Sequence, residues 1–318
     1  MKLFIRKTLL MIFLVMAGIA AIVSFNYFII GSQYEKSYSA AFYDKIERLR
    51  SIDGPKIILI GDSNVAFGMD SGRLEEAMGM PVVNLGLHGS LGSAFHQDMA
   101  KYNLNKGDIV ISCSYSFSSA DEIHDCTLAW TTIDNHADYL DILRTKDYPR
   151  MLSSYPRYLK KSSFLFITGS GNKDTGGCYS RNAFNQYGDI VVRPEEDRID
   201  PREYFSAPEN NLRKPTVDTP DIELINDFNR YVEDRGATLL IAGFPIAYGE
   251  YAGFSEEDII SYQEEIARRV DCDVISDFTD YLFPYEYFYN TNLHLTEEGT
   301  GVRTDLLISD LKRWKGAL

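Results

Sequence analysis

The sequence predicts an α/β fold: a doubly wound, three-layer α/β/α parallel sheet with an N-terminal transmembrane helix and an inserted cap region. Three observations carry that expectation. Short apolar runs alternate with amphipathic segments, a long uncharged run stands near the N-terminus, and one interval between apolar runs is too long for a plain connection.

The first element is "TLLMIFLVMAGIAAIVSFNYFIIG", Thr8 to Gly31, which carries no charge. As a helix it would span about 36 Å, enough to cross a hydrocarbon core of roughly 30 Å. Lys2, Arg6 and Lys7 precede it, so the positive-inside bias keeps the N-terminus cytoplasmic and places the remainder outside. A cleaved signal peptide with "AGIAA" as its small-residue site is the competing reading. The apolar run continues past that site through Phe25, Tyr27, Phe28, Ile29 and Ile30, which favours a retained anchor. Residues 1–31 therefore read as cytoplasmic N-terminus and anchor, and 32–54 as a stalk helix, because "YEKSYSAAFYDKIERLR" has helix-like spacing with mixed charge. The folded domain is expected over 55–318.

Within it, "KIILIG" (56–61), "PVVNLG" (81–86), "DIVISCS" (108–114), "ATLLIAGFP" (237–245) and "DVISDF" (273–278) are the expected strands. Segments 71–79, 92–105, 219–235, 255–270 and 296–314 are the expected helices. Each right-handed crossover between parallel strands deposits a helix on the sheet, so both faces should be covered. The interval 115–218 is rich in Tyr, Asp, Asn, Ser and Pro, with "FLFITG" (164–169) as its one strand-like run, and reads as an inserted lid or cap.

Composition narrows the function classes. Against 32 Lys+Arg stand 46 Asp+Glu, a net charge of −14, which argues against a nucleic-acid partner and leaves a neutral or modestly charged small molecule or glycan. Cys113, Cys126, Cys178 and Cys272 all fall on the outer side, where disulfides are chemically permitted; one bridge and free buried thiols both remain open. No metal-type CxxC spacing occurs, and no cofactor is implied.

Ser63 follows the first strand in "KIILIGDSNVAFG", where ligands of an open parallel sheet gather. Asp62, Ser63 and Asn64 are also good helix caps, so on this stretch alone nucleophile and cap both stand. "NLGLHGSLG" (84–92) follows the second strand with three glycines at which backbone amides could approach a reacting carbonyl. "FYNTNLHLTEEGTGVRT" (288–304) places His294 in a loop opening the last helix, where an imidazole could serve Ser63 as general base.

Together these blocks resemble the SGNH/GDSL hydrolase superfamily, with Gly61-Asp62-Ser63 as first block, Asn84-Leu85-Gly86 through Gly89 as second, and His294 in the last. The resemblance covers roughly 55–315 and implies a flavodoxin-like core. The tail also looks like the "FYDxxYHLxxxGxxxRT" pattern of membrane-anchored members related to alginate O-acetylation and teichoic-acid D-alanylation proteins. It implies Ser63 as nucleophile, His294 as base, and the amides of Ser63 and Gly89 as oxyanion donors. It also implies an esterase or O-acyltransferase passing an acyl group from a donor to water or an envelope glycan, beside a membrane-bound O-acyltransferase. Hydrolysis and transfer share the acyl-serine intermediate.

Two departures qualify the match. Asn290 stands where the pattern has an aspartate, with Thr291 next to it; an asparagine orients an imidazole but does not stabilise imidazolium as a carboxylate would, and Asp277 or Asp280 are the alternatives. The third block, usually "GxND", is replaced by "SCSYSFSSAD" (112–121), in which Ser114 or Tyr115 are the candidate donors. Loss of one oxyanion donor costs about 2.7–4 kcal/mol, so a slow enzyme is expected, and a non-catalytic SGNH-like module that binds glycan or scaffolds the acyltransferase is the alternative. His88 is a candidate substrate contact, while His96, His124 and His136 read as surface or hydrogen-bonded histidines. Trp130, Tyr139, Tyr148, Tyr155 and Tyr158, with Tyr115, could stack on sugar rings or form a packed face.

Overall fold

The computed structural model describes residues 1–113, 122–174, 176–207, 210 and 214–317. Ser114 and Tyr115, the expected third-block donors, lie outside the described residues. Helix α1 (Lys2–Phe25) and the π-helical turn Asn26–Ile30 form one rod of 29 residues that is long and apolar enough to cross a membrane. No side chain of α1 is buried.

Helix α2 (Ala41–Ser51) corrects the expected stalk. Phe42, Ile46 and Leu49 are wholly buried in the domain core. Their i, i+4, i+7 spacing makes an apolar stripe, and such a stripe is worth more against the sheet than in a free-standing spacer.

The strands are β1 (Ile57–Ile60), β2 (Val82–Asn84), β3 (Ile109–Ser112), β4 (Thr238–Ile241), β5 (Ile246–Ala247), β6 (Asp273–Val274) and β7 (Leu282–Phe283). Five of them form a parallel sheet in the order β2-β1-β3-β4-β6, and β5 pairs with β7 in a two-stranded annex. The other helices are α3 (Ser63–Phe67), α4 (Ser71–Met78), α5 (Ser93–Ala100), α6 (Cys126–Ile133), α7 (Tyr148–Thr168), α8 (Pro201–Ser206), α9 (Thr219–Glu233), α10 (Glu256–Arg269) and α11 (Glu297–Ala317).

Strand side chains alternate between two apolar clusters. Ile58, Ile60, Val110, Leu239 and Ile241 join residues of α2, α5, α9 and α10 on one face. Ile57, Leu59, Ile109, Ile111 and Leu240 join Leu74 of α4 and Leu307 and Leu311 of α11 on the other. With both faces buried, the strands read as unbroken apolar runs, which is why they were visible in the sequence.

The interval between β3 and β4 departs from expectation in one element: "FLFITG" closes α7 as its last turn and the glycine that caps it. A short apolar run cannot by itself distinguish strand from helix, and here the preceding helical turns carry it along. The aromatic residues of the interval pack on one another. Trp130 meets Tyr155 edge-on at 5.0 Å and Tyr158 at 5.9 Å, and Tyr139 lies against Phe42 at 5.0 Å, so these four rings form a packed face, while Tyr148 stays exposed. All four cysteines are free thiols.

Candidate active site

The strand order reverses direction between β1 and β3, and the crevice beyond their carboxyl ends is where an open parallel sheet receives ligands. Ser63 stands there as the first residue of α3. Asp62 caps that helix by accepting from the Asn64 backbone N–H at 2.7 Å. Burial raises the Asp62 pKa, and the two hydrogen bonds from Asn64 oppose that rise.

The elbow is clamped from below. Asn64 is fully buried and gives its side-chain hydrogens to Asp62 Oδ1 at 2.6 Å and to the Cys113 carbonyl at 3.1 Å. Its own Oδ1 and carbonyl accept from Arg303 at 2.8 and 2.6 Å. Asn64 is therefore spent on holding the turn, with both its donors and both its acceptors engaged by the protein. A guanidinium is planar and presents several donors at fixed angles, so buried Arg303 can bind both oxygens of one residue at once.

The second block packs beside the elbow. The Leu87 amide donates to the Gly61 carbonyl at 3.4 Å, and a Cβ on Gly89 would lie 3.3 Å from that of Asp62. Gly86 has no alternative: a Cβ there would fall 2.5 Å from the Ala66 nitrogen and 2.8 Å from Val65. Ser63 and Gly89 both open helical turns, where N–H groups have no partner within the turn. His88, exposed on the same loop, accepts from the Ser90 amide through Nδ1 at 3.1 Å.

His294 arrives from the far end of the chain. Thr291 shapes its turn by accepting the Leu293 and His294 amides at 3.1 Å each, and the Tyr289 amide donates to the His294 carbonyl at 2.8 Å. The imidazole stacks on Phe67 with ring centroids 3.9 Å apart and planes 9° from parallel. Its Nε2 lies 2.9 Å from Ser63 Oγ, and its Nδ1 lies 2.8 Å from Asn290 Oδ1. A carbonyl oxygen only accepts, so Nδ1 carries the proton and Nε2 presents its lone pair to the serine hydroxyl. Asp277 instead caps a short turn at Phe278–Tyr281, so the group facing the outer ring nitrogen is Asn290.

Two residues of the interval complete this line. Tyr179 accepts from Asn290 Nδ2 at 3.2 Å, which fixes the amide with its oxygen toward His294. Arg193 donates to the carbonyls of Phe67 at 2.6 Å and Leu295 at 3.1 Å, tying α3 to the histidine loop. Burial pushes the His294 imidazole down to about 3, and the charges of His88 and Arg193 act in the same direction. The imidazole is thus neutral at neutral pH and able to take a proton, and among the described residues the group at its Nδ1 is the Asn290 amide and not a carboxylate.

Tyr179, Arg193, Phe67 and Arg303 had no assigned role in the sequence. Phe67 and Arg303 lie inside the quoted motifs and had a signal; Tyr179 and Arg193 lie in the interval, where local pattern says nothing about contacts 100 or more residues away. No protein-family model, curated protein or solved structure matches the chain.

Proposed function

We propose that this chain is a membrane-anchored, extracytoplasmic serine esterase or O-acyltransferase of the SGNH/GDSL kind, acting on an acyl ester of a cell-envelope glycan or a similar donor. The observation that carries the reading is the unbroken line from Ser63 Oγ to His294 Nε2 and from Nδ1 to Asn290 Oδ1. The strand order and the apolar clusters on both sheet faces support a flavodoxin-like core, and the N-terminal rod supports the anchor. In the proposed reaction Ser63 Oγ bonds to the acyl carbon as its proton passes to His294 Nε2. The Ser63 and Gly89 amides receive the oxyanion. The proton then leaves with the departing alcohol, and water or a glycan hydroxyl, deprotonated by the same nitrogen, releases the acyl group. A membrane-bound O-acyltransferase that delivers the acyl group is the proposed partner.

The test is a serine-reactive fluorophosphonate on the full chain in detergent, with the labelled peptide sequenced by mass spectrometry. Labelling at Ser63 that is lost in His294→Ala is expected; an unlabelled Ser63 ends the catalytic reading. Asn290 in place of a carboxylate favours a second reading, a non-catalytic module binding glycan or scaffolding the acyltransferase. That reading requires Ser63→Ala cells to keep a normal envelope acylation pattern while deletion cells lose it.

A further inference from the structure

Like the N-terminal rod, helix α7 is basic with no acidic residue and leaves apolar surface uncovered. Over 148–168 it holds Arg150, Arg157, Lys160 and Lys161 and no acidic residue, in a protein whose net charge is −14. Its inner face, Met151, Tyr158 and Ser162, is buried against the domain. A second stripe runs through Leu152, Pro156, Leu159, Phe166 and Ile167, spaced i, i+4, i+7, i+14 and i+15 along one side of the helix. Leu152 is 67% exposed, Phe166 45% and Ile167 81%, with Phe164 at 65% on the adjoining flank, so this apolar surface is left to solvent by the folded domain. Arg157, Lys160 and Lys161 are exposed and flank the stripe on the side away from the buried face.

The stripe continues into the N-terminal rod. Asn26, at the domain end of that rod, is fully buried and donates to Tyr155 of α7 at 3.2 Å and to Asn135 at 2.8 Å. A cavity of about 740 Å³ opens between them, lined almost wholly by apolar groups, with Ile19, Ile22 and Val23 on one wall and Leu152, Pro156 and Leu159 on the other. A helix pinned to the exit of a membrane span, with an apolar stripe continuous with that span and basic residues along its edge, has the composition of an interfacial helix. The occupant that matches both parts is a phospholipid with an anionic headgroup: hydrocarbon for the stripe and cavity, phosphate for the lysines and arginine.

We propose that α7 lies in the surface of an anionic bilayer, with Leu152, Phe166 and Ile167 in the acyl region, and that a lipid chain fills the cavity between α7 and the N-terminal rod. The domain is then held flat against the membrane by two elements and not tethered by one. This rests on the membrane-anchor part of the reading above.

The experiment uses the full chain in vesicles of phosphatidylcholine with about a third phosphatidylglycerol. Cys126→Ser and Cys272→Ser remove the accessible native thiols, and an environment-sensitive fluorophore is placed on Ile167→Cys or, as reference, on Ile260→Cys of α10. The expected result is quenching at position 167 by brominated acyl chains, with roughly fivefold less quenching by aqueous iodide than at position 260. Joint Arg157→Glu, Lys160→Glu and Lys161→Glu substitution should release position 167 in the anionic vesicles, each charge being worth about fivefold in the bound-to-free ratio. If the chain floats with the vesicles while position 167 quenches with iodide as freely as position 260, the anchor stands and the inference about α7 is overturned; a protein partner covering α7 would give that result. If the chain does not float at all, both fail.

Discussion

The two ends of the central sheet both bury charge and polarity, and they use it oppositely. At the amino end, Lys56 and Asp108 enter β1 and β3 side by side with no solvent exposure, Nζ to Oδ2 at 2.9 Å. Asp108 also accepts the backbone amides of Lys56 at 3.0 Å and Asn105 at 2.7 Å, so the carboxylate is saturated by the protein. At the carboxyl end the polar line Asn290–His294–Ser63 is equally well aligned and ends at the half-buried Ser63 hydroxyl. On the proposed esterase reading the first network serves the fold and the second the reaction. The supporting groups differ too: the amino end is served by neighbours in sequence or in the next strand, the carboxyl end by Arg303, Arg193 and Tyr179 from remote segments.

The two ends of the sheet should differ most at Ser63. On the esterase reading, Ser63→Ala lowers turnover of an activated acyl ester by on the order of 10⁴–10⁶, with unfolding of the full chain in detergent changed by less than about 1 kcal/mol. The amino end should respond in the reverse way. Lys56→Met strands a buried carboxylate and should cost about 3–5 kcal/mol in thermal or denaturant unfolding, with turnover per folded molecule retained. Replacing both partners, Lys56→Met with Asp108→Leu, should recover much of that loss; if it does not, the saturated carboxylate has a role beyond its lysine.

A third outcome concerns proton affinity. Because the folded-state pKa of His294 lies at about 3, below the ordinary histidine value, the unfolded chain binds the extra proton first as pH falls. The stability that His294 contributes is complete above about 6.5, the unfolded value, and declines as pH drops from there toward the folded pKa. The acid limb of the kcat/KM profile should lie correspondingly far below 6.5, the ordinary value of histidine. Asn290→Asp places a carboxylate against Nδ1, favours imidazolium, and should move that limb upward by about one pH unit or more. An unmoved limb would mean that another group sets it.

The smallest expected effect belongs to Tyr179. Tyr179→Phe removes one hydrogen bond to Asn290 and should cost about 0.5–1.5 kcal/mol in kcat/KM. In the Asn290→Asp background the amide that Tyr179 orients no longer exists, so the same change should cost measurably less. Equal losses in both backgrounds would assign Tyr179 to packing alone.

What the sequence alone determined is what depends on local pattern. The five strands of the main sheet and the helices α4, α5, α9, α10 and α11 were legible because apolar runs and helical stripes are set by the burial each segment needs, and Ser63 and His294 stood out because they follow a strand and precede a helix. The stalk reading of 32–54 left out the burial of α2, and the strand-like look of 164–169 left out the helix that carries it, for one reason: an apolar stripe states that a segment must be covered, not by what. Only the tertiary structure decided that α2 packs on the sheet, that Asn64 turns inward to Arg303, and that Asn290 takes its orientation from Tyr179. The last two contacts join residues about 110 and 240 apart, and the geometry of all three is set by the packing of whole helices, for which no short stretch of sequence carries a signature.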